Sequence, residues 1–424
     1  MTAEPGHLVR LHRRTAPRND APVGVSAPPP LGVYVHLPWC VRKCPYCDFN
    51  SHELRSGAAD LPEDEYLRAL ESDLDTSLPL VWGRTVQTVF IGGGTPSLFS
   101  EASIDRLIAM IRARLRLAAD AEITMEANPG TFELERFRGF ARAGVNRLSL
   151  GIQSFSDRAL AAIGRIHDGA DARAALVAAQ ALFPRVNADL MYALPGQTLD
   201  ELEHDLAQIA AIGCTHLSAY HLTLEEGTLF ARRPPAVPEE GLTEAMQELI
   251  DARAADWGLR RYEVSALARP GDECRHNLNY WQFGDYLGIG AGAHGKLSFH
   301  DRIIRQAKVR SPRRYMDALM KDRPTVLPSG DRDDEPARAP WIETSSVVRA
   351  GDLPFEFMLN ALRLREGVPS SLFAERTGMT LNQVAQPIER AVRRGLLSAH
   401  PSRLQATDHG WRYLNDLQAI FLQE

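Results

Sequence analysis

The sequence has few cysteines, no long hydrophobic run and no excess of basic charge. Five cysteines among 424 residues are too few for a disulfide framework, which favours a reducing compartment and a cytoplasmic location. No apolar run approaches the roughly 20 residues that a membrane span needs. Because 48 Lys and Arg stand against 54 Asp and Glu, the net charge of −6 gives no general case for nucleic acid as a partner.

The remaining composition is that of a globular protein with one large domain and one smaller domain. Hydrophobic residues make up 44% of the chain, enough for a sizeable core. Residues 1–30 are rich in Pro, Ala and Arg and lack the apolar segment of a signal peptide, so they are predicted to be a disordered tail. The predicted main domain covers 31–310. Residues 311–353, heavy in Pro, Asp and Arg, are predicted to form a linker with one short helix, and 354–424 a separate helical domain.

Three of the five cysteines lie together in the segment YVHLPWCVRKCPYCDFN. Cys40, Cys44 and Cys47 form a CxxxCxxC pattern after a predicted strand. Three thiolates in one loop suit an iron-sulfur cluster, because a four-iron cluster held by three ligands leaves one iron open to an exchangeable group. The alternative is a structural zinc site, which needs a fourth ligand such as His36 or a more distant residue.

Short strand patterns alternate with helical patterns after residue 31. The predicted strands are 33–36, 86–91, 122–126, 147–151, 186–191 and 216–223, and the predicted helices are 63–78, 104–116, 134–143, 171–182 and 199–211. This alternation indicates a parallel α/β sheet, either an open doubly wound sheet or a curved barrel.

Chemically active residue types gather where these strands end. They are Cys40, the GGGTP segment 92–96, Glu126 with Asn128, Gln153 and Asp189. Because the carboxyl ends of parallel strands meet at one edge, a single ligand site is expected there. The glycines allow close approach of backbone to a ligand, although such a triplet is usually a turn. The Glu126 carboxylate could accept hydrogen bonds from ribose hydroxyls. Alternatively, it caps a helix N-terminus or forms a salt bridge.

These motifs resemble those of one known family. In chain order they are YVHLPWCVRKCPYCDFNS, IGGGTPS, ITMEANPG, LSLGIQSF, IGRIH, NADLMYALPGQT, YEVSALARPG, CRHNLNYW and DYLGIGAGAHG. The chain resembles the radical S-adenosylmethionine (SAM) group that contains the oxygen-independent coproporphyrinogen III oxidases and, more closely, the HemW heme chaperones. The resemblance runs from about residue 32 to the C-terminus. It implies a partial (β/α)6 radical SAM barrel with an α-helical, winged-helix-like C-terminal domain.

The resemblance also implies the ligands of the site. Cys40, Cys44 and Cys47 would bind a [4Fe-4S] cluster whose fourth iron takes SAM. The positions that match SAM-holding residues are Tyr34, Gly93 and Glu126, with Gly94 and Thr95 beside them. The positions that match contacts to a second SAM or the substrate in the oxidases are Gln153, Arg165 and Asp189. Arg165 is of the residue type best suited to clamp a carboxylate.

Departures from the oxidase pattern favour the chaperone branch. The oxidases carry a further cysteine two residues after the third, where this chain has Asp48 and Phe49. They also have a longer folded N-terminal extension. The CRHNLNYW segment is similar to the HNxxYW element linked to heme in the chaperones, so His276 is the first-choice heme ligand, unless it is hydrogen-bonded in the core. His294 is the second candidate, and Cys274 is a further fallback.

The C-terminal segment alternates short helices with a basic turn, which invites a DNA-reading interpretation. From residue 354 onward the segment contains eight arginines and seven acidic residues. This nearly balanced charge does not support DNA binding. The resemblance instead implies a domain that covers the barrel mouth.

The sequence therefore predicts a radical SAM protein that binds heme and delivers it to heme-accepting proteins such as respiratory proteins, with no residue assigned a catalytic role. It would need an electron donor for the cluster, and peripheral contact with membrane proteins is a further expectation. The first alternative is an oxygen-independent coproporphyrinogen III oxidase, in which a 5′-deoxyadenosyl radical abstracts hydrogen from a propionate carbon. The second is a non-catalytic metal-binding scaffold.

Overall fold

The computed structural model describes residues 24–54, 60–131, 134–321 and 339–422. Its first part alternates strands and helices. In chain order these elements are β1 (Leu31–Leu37), β2 (Trp39–Cys40), β3 (His52–Glu53), α1 (Glu63–Ser77), β4 (Thr85–Gly93), α2 (Glu101–Arg114), β5 (Arg116–Ala127), α3 (Leu134–Ala143), β6 (Arg147–Gln153), α4 (Asp157–Ala162), α5 (Gly169–Leu182), β7 (Arg185–Tyr192), α6 (Leu199–Ile212) and β8 (His216–His221).

The second part extends this sheet and adds a smaller domain. The extension comprises α7 (Leu229–Arg232), α8 (Glu240–Asp256), β9 (Arg260–Arg261), β10 (Ala266–Ala268), α9 (Arg275–Trp281), β11 (Asp285–Ile289), β12 (His294–Ser298), β13 (Ile303–Lys308), α10 (Pro312–Lys321) and β14 (Ile342–Val347). The smaller domain comprises α11 (Leu353–Ala361), β15 (Val368–Pro369), α12 (Ser371–Thr377), α13 (Ala385–Arg393), β16 (Arg403–Leu404), α14 (Asp408–Arg412) and α15 (Leu414–Ala419).

Six parallel strands lie side by side in chain order and form the barrel wall. They are β1, β4, β5, β6, β7 and β8, each paired with the next. The wall does not close on itself, because β8 pairs with β10 at one end while β1 pairs with β11 at the other. The predicted α/β class with a partial (β/α)6 barrel is confirmed.

The local sequence explains why these elements form. Strand β1, LGVYVHL, has six of its seven residues buried, as expected for a parallel strand covered on both faces. Helix α6 begins with a capping box between Thr198 and Glu201 and ends at Gly213, whose φ of 83° is left-handed. Among the described residues, no helix is both long and apolar enough to cross a membrane.

The smaller domain shares its core with the sheet extension. Phe357 on α11 makes an edge-to-face contact with Phe283, their ring centroids 5.7 Å apart, and Ile303 on β13 joins the same apolar cluster. Within the domain, β15 and β16 pair antiparallel beside α12 and α13, which gives a winged-helix-like arrangement. Its position is therefore fixed against the extension by apolar packing.

Two predicted boundaries differ from the structure. The predicted linker 311–353 contains α10, which packs against α1, and β14, which pairs with β13, so most of its described part belongs to the main domain, while Leu353 already begins α11 of the smaller domain. The predicted tail reached residue 30, yet Val25 is buried and its backbone N–H donates to the Phe299 carbonyl. These segments belong to the fold because they bury apolar side chains, among them Val25, Tyr315 and Trp341. Residues 1–23 and 322–338 lie outside the described residues.

Candidate functional site

The loop that carries the three thiols is closed at its base by a short parallel strand pair. β2 ends at Cys40 and pairs with β3, so residues 41–51 form a loop at the carboxyl edge of the barrel. Cys40 is buried and accepts a hydrogen bond from Thr95 Oγ1 at 3.5 Å, whereas Cys44 and Cys47 are partly exposed. Burial raises the pKa of both Cys40 and Cys47. Their ionisation therefore needs a cationic partner such as iron.

The geometry of this loop does not suit a single metal ion. Within the described ranges, no group of three or more His, Cys, Asp or Glu side chains converges on one point. His36, the candidate fourth zinc ligand, uses Nδ1 with the Tyr34 hydroxyl and Nε2 with the Asn50 carbonyl, each at 2.9 Å. Burial lowers the pKa of His36 to about 4. A four-iron cluster fits better, because each thiolate then binds a different iron.

The GGGTP segment brings the end of β4 against the cysteine loop. A Cβ at Gly94 would lie 2.5 Å from the Trp39 carbonyl oxygen, so only glycine allows this approach. Gly93 has a φ of 119° and donates its N–H to Glu126 Oε2 at 3.0 Å. The segment therefore positions a carboxylate of β5 beside the edge.

Glu126 lies deep in the barrel with part of its surface open to a cavity. The pKa of Glu126 is raised to about 8, chiefly by burial and also by the charge of Asp189, while the Gly93 N–H opposes both effects. Asp189 itself accepts hydrogen bonds from Ser149 at 3.1 Å and Asn187 at 2.8 Å. Burial raises its pKa, against the effect of these donors. The side chains of Glu126 and Asp189 therefore form an acidic pair near the C-terminal ends of the barrel strands.

Arg165 lies beside the cysteine loop at this edge. Its Nη1 is 3.8 Å from Cys44 Sγ, and its Nη2 donates to the Gly151 carbonyl at 2.6 Å and to Asn128 Oδ1. Asn128 in turn donates to Thr95 Oγ1 at 2.9 Å. Arg165 thus places a partly buried positive charge beside the Cys44 thiol, where it would offset the negative charge of a thiolate.

Gln153 ends β6 with a φ of 66°, a conformation that non-glycine residues rarely adopt. Strain of this kind concentrates at functional sites, where the surrounding structure holds it in place. Tyr34 on β1 lines the cavity that also contains Gly93 and Glu126. The predicted SAM positions therefore meet at one edge, but Thr95 and Arg165 line a small separate pocket beside Cys44.

A cavity of about 770 Å³ opens between the barrel edge and the extension. Aromatic residues form much of its wall: Tyr34, Phe49, Tyr280, Trp281, Phe283 and Tyr286. The cavity-facing residues of the extension alternate along the strands, with His294 opposite Ala307 and Lys296 opposite Arg305. This volume lies within the range of ligand cavities that hold drug-sized molecules.

The two histidine candidates occupy different environments. His294 at the start of β12 is exposed and lines the cavity. Burial lowers its pKa, the charges of Arg305 and Arg310 lower it further, and Glu343 opposes them. The imidazole is therefore neutral near pH 7 and able to bind a metal.

His276 is instead fully packed inside the barrel. Its Nδ1 shares a hydrogen bond with Thr88 Oγ1 at 2.8 Å and its Nε2 with the Tyr280 hydroxyl at 3.0 Å. Burial lowers the pKa of His276 to about 3. Thr88 lies five residues before Gly93 on β4, about 16 Å from the carboxyl edge at the usual strand rise. This placement favours the alternative of a hydrogen-bonded core histidine and disfavours His276 as a heme ligand.

Sequence reasoning missed the cavity wall of β12 and β13. Lys296, Arg305, Lys308 and Arg310 all line the cavity, yet none was singled out. Strand β13 reads IIRQAK, in which the two charged residues stand three positions apart, so its sequence carries no period-two signal. Without such a pattern, the sequence of β13 does not indicate which of its side chains line a site.

Comparison with known proteins agrees with this geometry. Residues 34–209 match the model of the radical SAM superfamily, and residues 349–413 match that of the HemN C-terminal domain. A solved structure of coproporphyrinogen III oxidase (HemN) from Escherichia coli has a TM-score of 0.75 at 22% identity, covering 93% of this chain and 90% of that one. This likeness shows the fold.

Curated relatives extend the match over nearly the full chain. The heme chaperone HemW of Escherichia coli is 45% identical, across 93% of this chain and 99% of the relative. The heme chaperone HemW of Bacillus subtilis is 33% identical, across 92% of this chain and 99% of the relative. The three-cysteine loop, the parallel barrel and these matches together place the chain in the HemW family of radical SAM proteins.

Proposed function

We propose that this protein is a heme chaperone that binds a [4Fe-4S] cluster, SAM and heme, and delivers the heme to heme-dependent proteins such as respiratory enzymes. Cys40, Cys44 and Cys47 would hold the cluster. The proposal also includes an electron donor that reduces the cluster, and peripheral contact with membrane proteins that receive the heme. Because the thiols must remain reduced, the proposal places the protein in the cytoplasm.

The cluster and SAM assignments are supported by the arrangement of the carboxyl edge. The cluster would supply one electron to bound SAM. The residues of the chain have separate tasks: Glu126 and the Gly93 backbone offer polar contacts to a ribose and an amino acid, and Arg165 offsets thiolate charge at Cys44. Membership of the radical SAM superfamily supports both cofactors.

The large aromatic cavity is the single observation that carries the heme proposal. Tyr280, Trp281 and Tyr286 can cover a porphyrin face, and Tyr280 and Tyr286 already pack edge to face with centroids 4.5 Å apart. His294 supplies a neutral imidazole in the same cavity. Asp48 and Phe49 line the mouth at the place where the oxidases carry another cysteine, which favours the chaperone over the oxidase.

A direct experiment separates the candidate functions. The anaerobically reconstituted protein is incubated with SAM, dithionite and coproporphyrinogen III, and separately loaded with heme and mixed with a heme-depleted respiratory cytochrome. We expect one heme per chain, transfer to the cytochrome faster than from free heme, and no protoporphyrinogen. Catalytic formation of protoporphyrinogen would establish the oxidase instead. A protein with a bound metal but neither SAM nor heme affinity would be a scaffold.

The raised pKa of Glu126 predicts a pH dependence of SAM binding. The ionised carboxylate accepts hydrogen bonds from both ribose hydroxyls, so SAM affinity should be lost as the pH falls through about 8. Between pH 9 and pH 7 the expected loss is up to about tenfold, since only about a tenth of the group is ionised at pH 7. Calorimetric titration of wild type and Glu126→Gln checks this.

The Glu126→Gln variant should lose about 1.5 to 3 kcal/mol of SAM binding at pH 9, the range for a charged hydrogen-bond partner. Its affinity should show no step near pH 8, and its iron and sulfide content should match wild type. The same pH step in both proteins would assign the titration to another group, and equal affinities would make Glu126 a structural residue.

A further inference from the structure

The cationic residues of the cavity wall differ in how their charges are balanced. Lys296 Nζ contacts Asp285 Oδ1 at 3.0 Å, and Lys308 Nζ contacts Asp73 Oδ1 at 2.5 Å. Both lysines are almost fully buried with these partners. Both charges are therefore paired within the fold, although Asp285 also pairs with Arg84, and the pairs hold β12 and β13 in place.

Arg305 is oriented by two neighbours but keeps donors for a ligand. Its Nε and Nη2 contact Glu356 Oε2 at 2.8 and 2.7 Å, and Nη1 donates to the Tyr286 hydroxyl at 3.1 Å. A guanidinium has five N–H groups, so two remain available. Because α11 and β11 fix its position, little side-chain entropy is lost when it binds a ligand in the cavity.

Arg310 has no carboxylate partner within the described residues, although its backbone is well fixed. The Arg310 carbonyl accepts a hydrogen bond from Asn50 Nδ2 at 2.9 Å and lies 3.2 Å from His52 Nε2. These contacts tie it to the end of the cysteine loop. The guanidinium is exposed at the cavity mouth and provides a positive charge that the fold itself does not neutralise.

The charges are therefore distributed unevenly along the cavity. Glu126 and Gly93 contribute to its lining from the barrel strands β5 and β4, whereas His294 and Arg305 come from β12 and β13, and Arg310 follows directly after β13. Glu343 also faces the mouth and partly balances this wall. An apolar macrocycle with carboxylates along one edge would match this distribution, with the macrocycle against the aromatic wall and its carboxylates towards the arginines.

We propose that Arg305 and Arg310 form a carboxylate clamp that binds the two propionate groups of a porphyrin and thereby fixes its orientation in the cavity. This inference rests on the proposed heme-binding function. The arginines bind the anionic edge, while His294 and the aromatic wall contact the iron and the ring. The clamp makes the site selective for porphyrins with free carboxylates.

Titrations with hemin and hemin dimethyl ester, in the same cosolvent, test the clamp. The ester keeps the ring and the iron but cannot form ion pairs. We expect wild type to bind hemin more tightly by about tenfold or more, the effect of two lost charged contacts in a partly exposed site. Arg310→Gln and Arg305→Lys should each weaken hemin binding and reduce this preference, while ester affinity stays unchanged.

Arg302→Gln is the matched control, because it removes the same charge from the nearby β12–β13 turn, where Arg302 pairs with Asp301 outside the cavity. Its preference for hemin should equal that of wild type. Equal binding of hemin and ester by wild type would overturn the clamp and leave heme binding intact. Loss of SAM affinity without loss of hemin affinity in Arg310→Gln would assign the arginine to the SAM carboxylate. Binding of neither compound would overturn both proposals.

Discussion

Replacement of Cys40, Cys44 or Cys47 by Ala should abolish the bound [4Fe-4S] centre. Each thiolate would hold a different iron, so loss of any one leaves two protein ligands and an unstable cluster. Cys40 should give the most complete loss, because it is the buried member and receives the Thr95 hydrogen bond. Iron and sulfide analysis with electron paramagnetic resonance of the reduced protein measures the outcome.

The remaining cysteines provide matched controls. Cys214 is buried in apolar surroundings, and Cys274 is buried beside Glu122 in the barrel interior. Cys214→Ala and Cys274→Ala should therefore keep wild-type iron and sulfide. A protein that contains stoichiometric zinc and no sulfide would contradict the cluster, as would an unchanged paramagnetic signal in all three loop variants.

The sequence predicted the barrel and its cluster loop because both depend on local patterns. A buried strand such as β1 has a nearly continuous apolar run, and the three cysteines lie within residues 40–47, at the end of β2 and in the loop that follows it. The contact between Gly93 and Glu126 could also be predicted, since both residues lie at the C-terminal ends of neighbouring parallel strands. For these residues, position along a strand determines position in the site.

The cavity wall could not be predicted in the same way, because it depends on contacts between distant segments. Arg305 is oriented by Glu356, 51 positions later in the chain, and Arg310 is held by Asn50, 260 positions earlier. His276 shows the converse case. Its motif suggested a ligand, yet Thr88 and Tyr280 occupy both ring nitrogens, a fact that only the packed barrel reveals.

Replacement of His294 by Ala should change the Soret band of the heme complex and weaken heme binding by at least about tenfold, or ~1.4 kcal/mol. The imidazole is exposed in the cavity and neutral near pH 7, so its loss removes a metal ligand without disturbing the core. Cluster content and thermal stability should match wild type. Absorption titration with hemin, and melting followed by circular dichroism, check these expectations.

His276→Ala is the paired variant, with the opposite expected result. Its truncation leaves the buried Thr88 hydroxyl and the partly buried Tyr280 hydroxyl without their partner, which should cost about 1 to 3 kcal/mol of stability and lower Tm. The Soret band of the folded fraction should be that of wild type. If His276→Ala alters the Soret band and His294→Ala does not, helix α9 must open to expose its histidine to heme, and the ligand assignment reverts to the one that the CRHNLNYW motif first suggested.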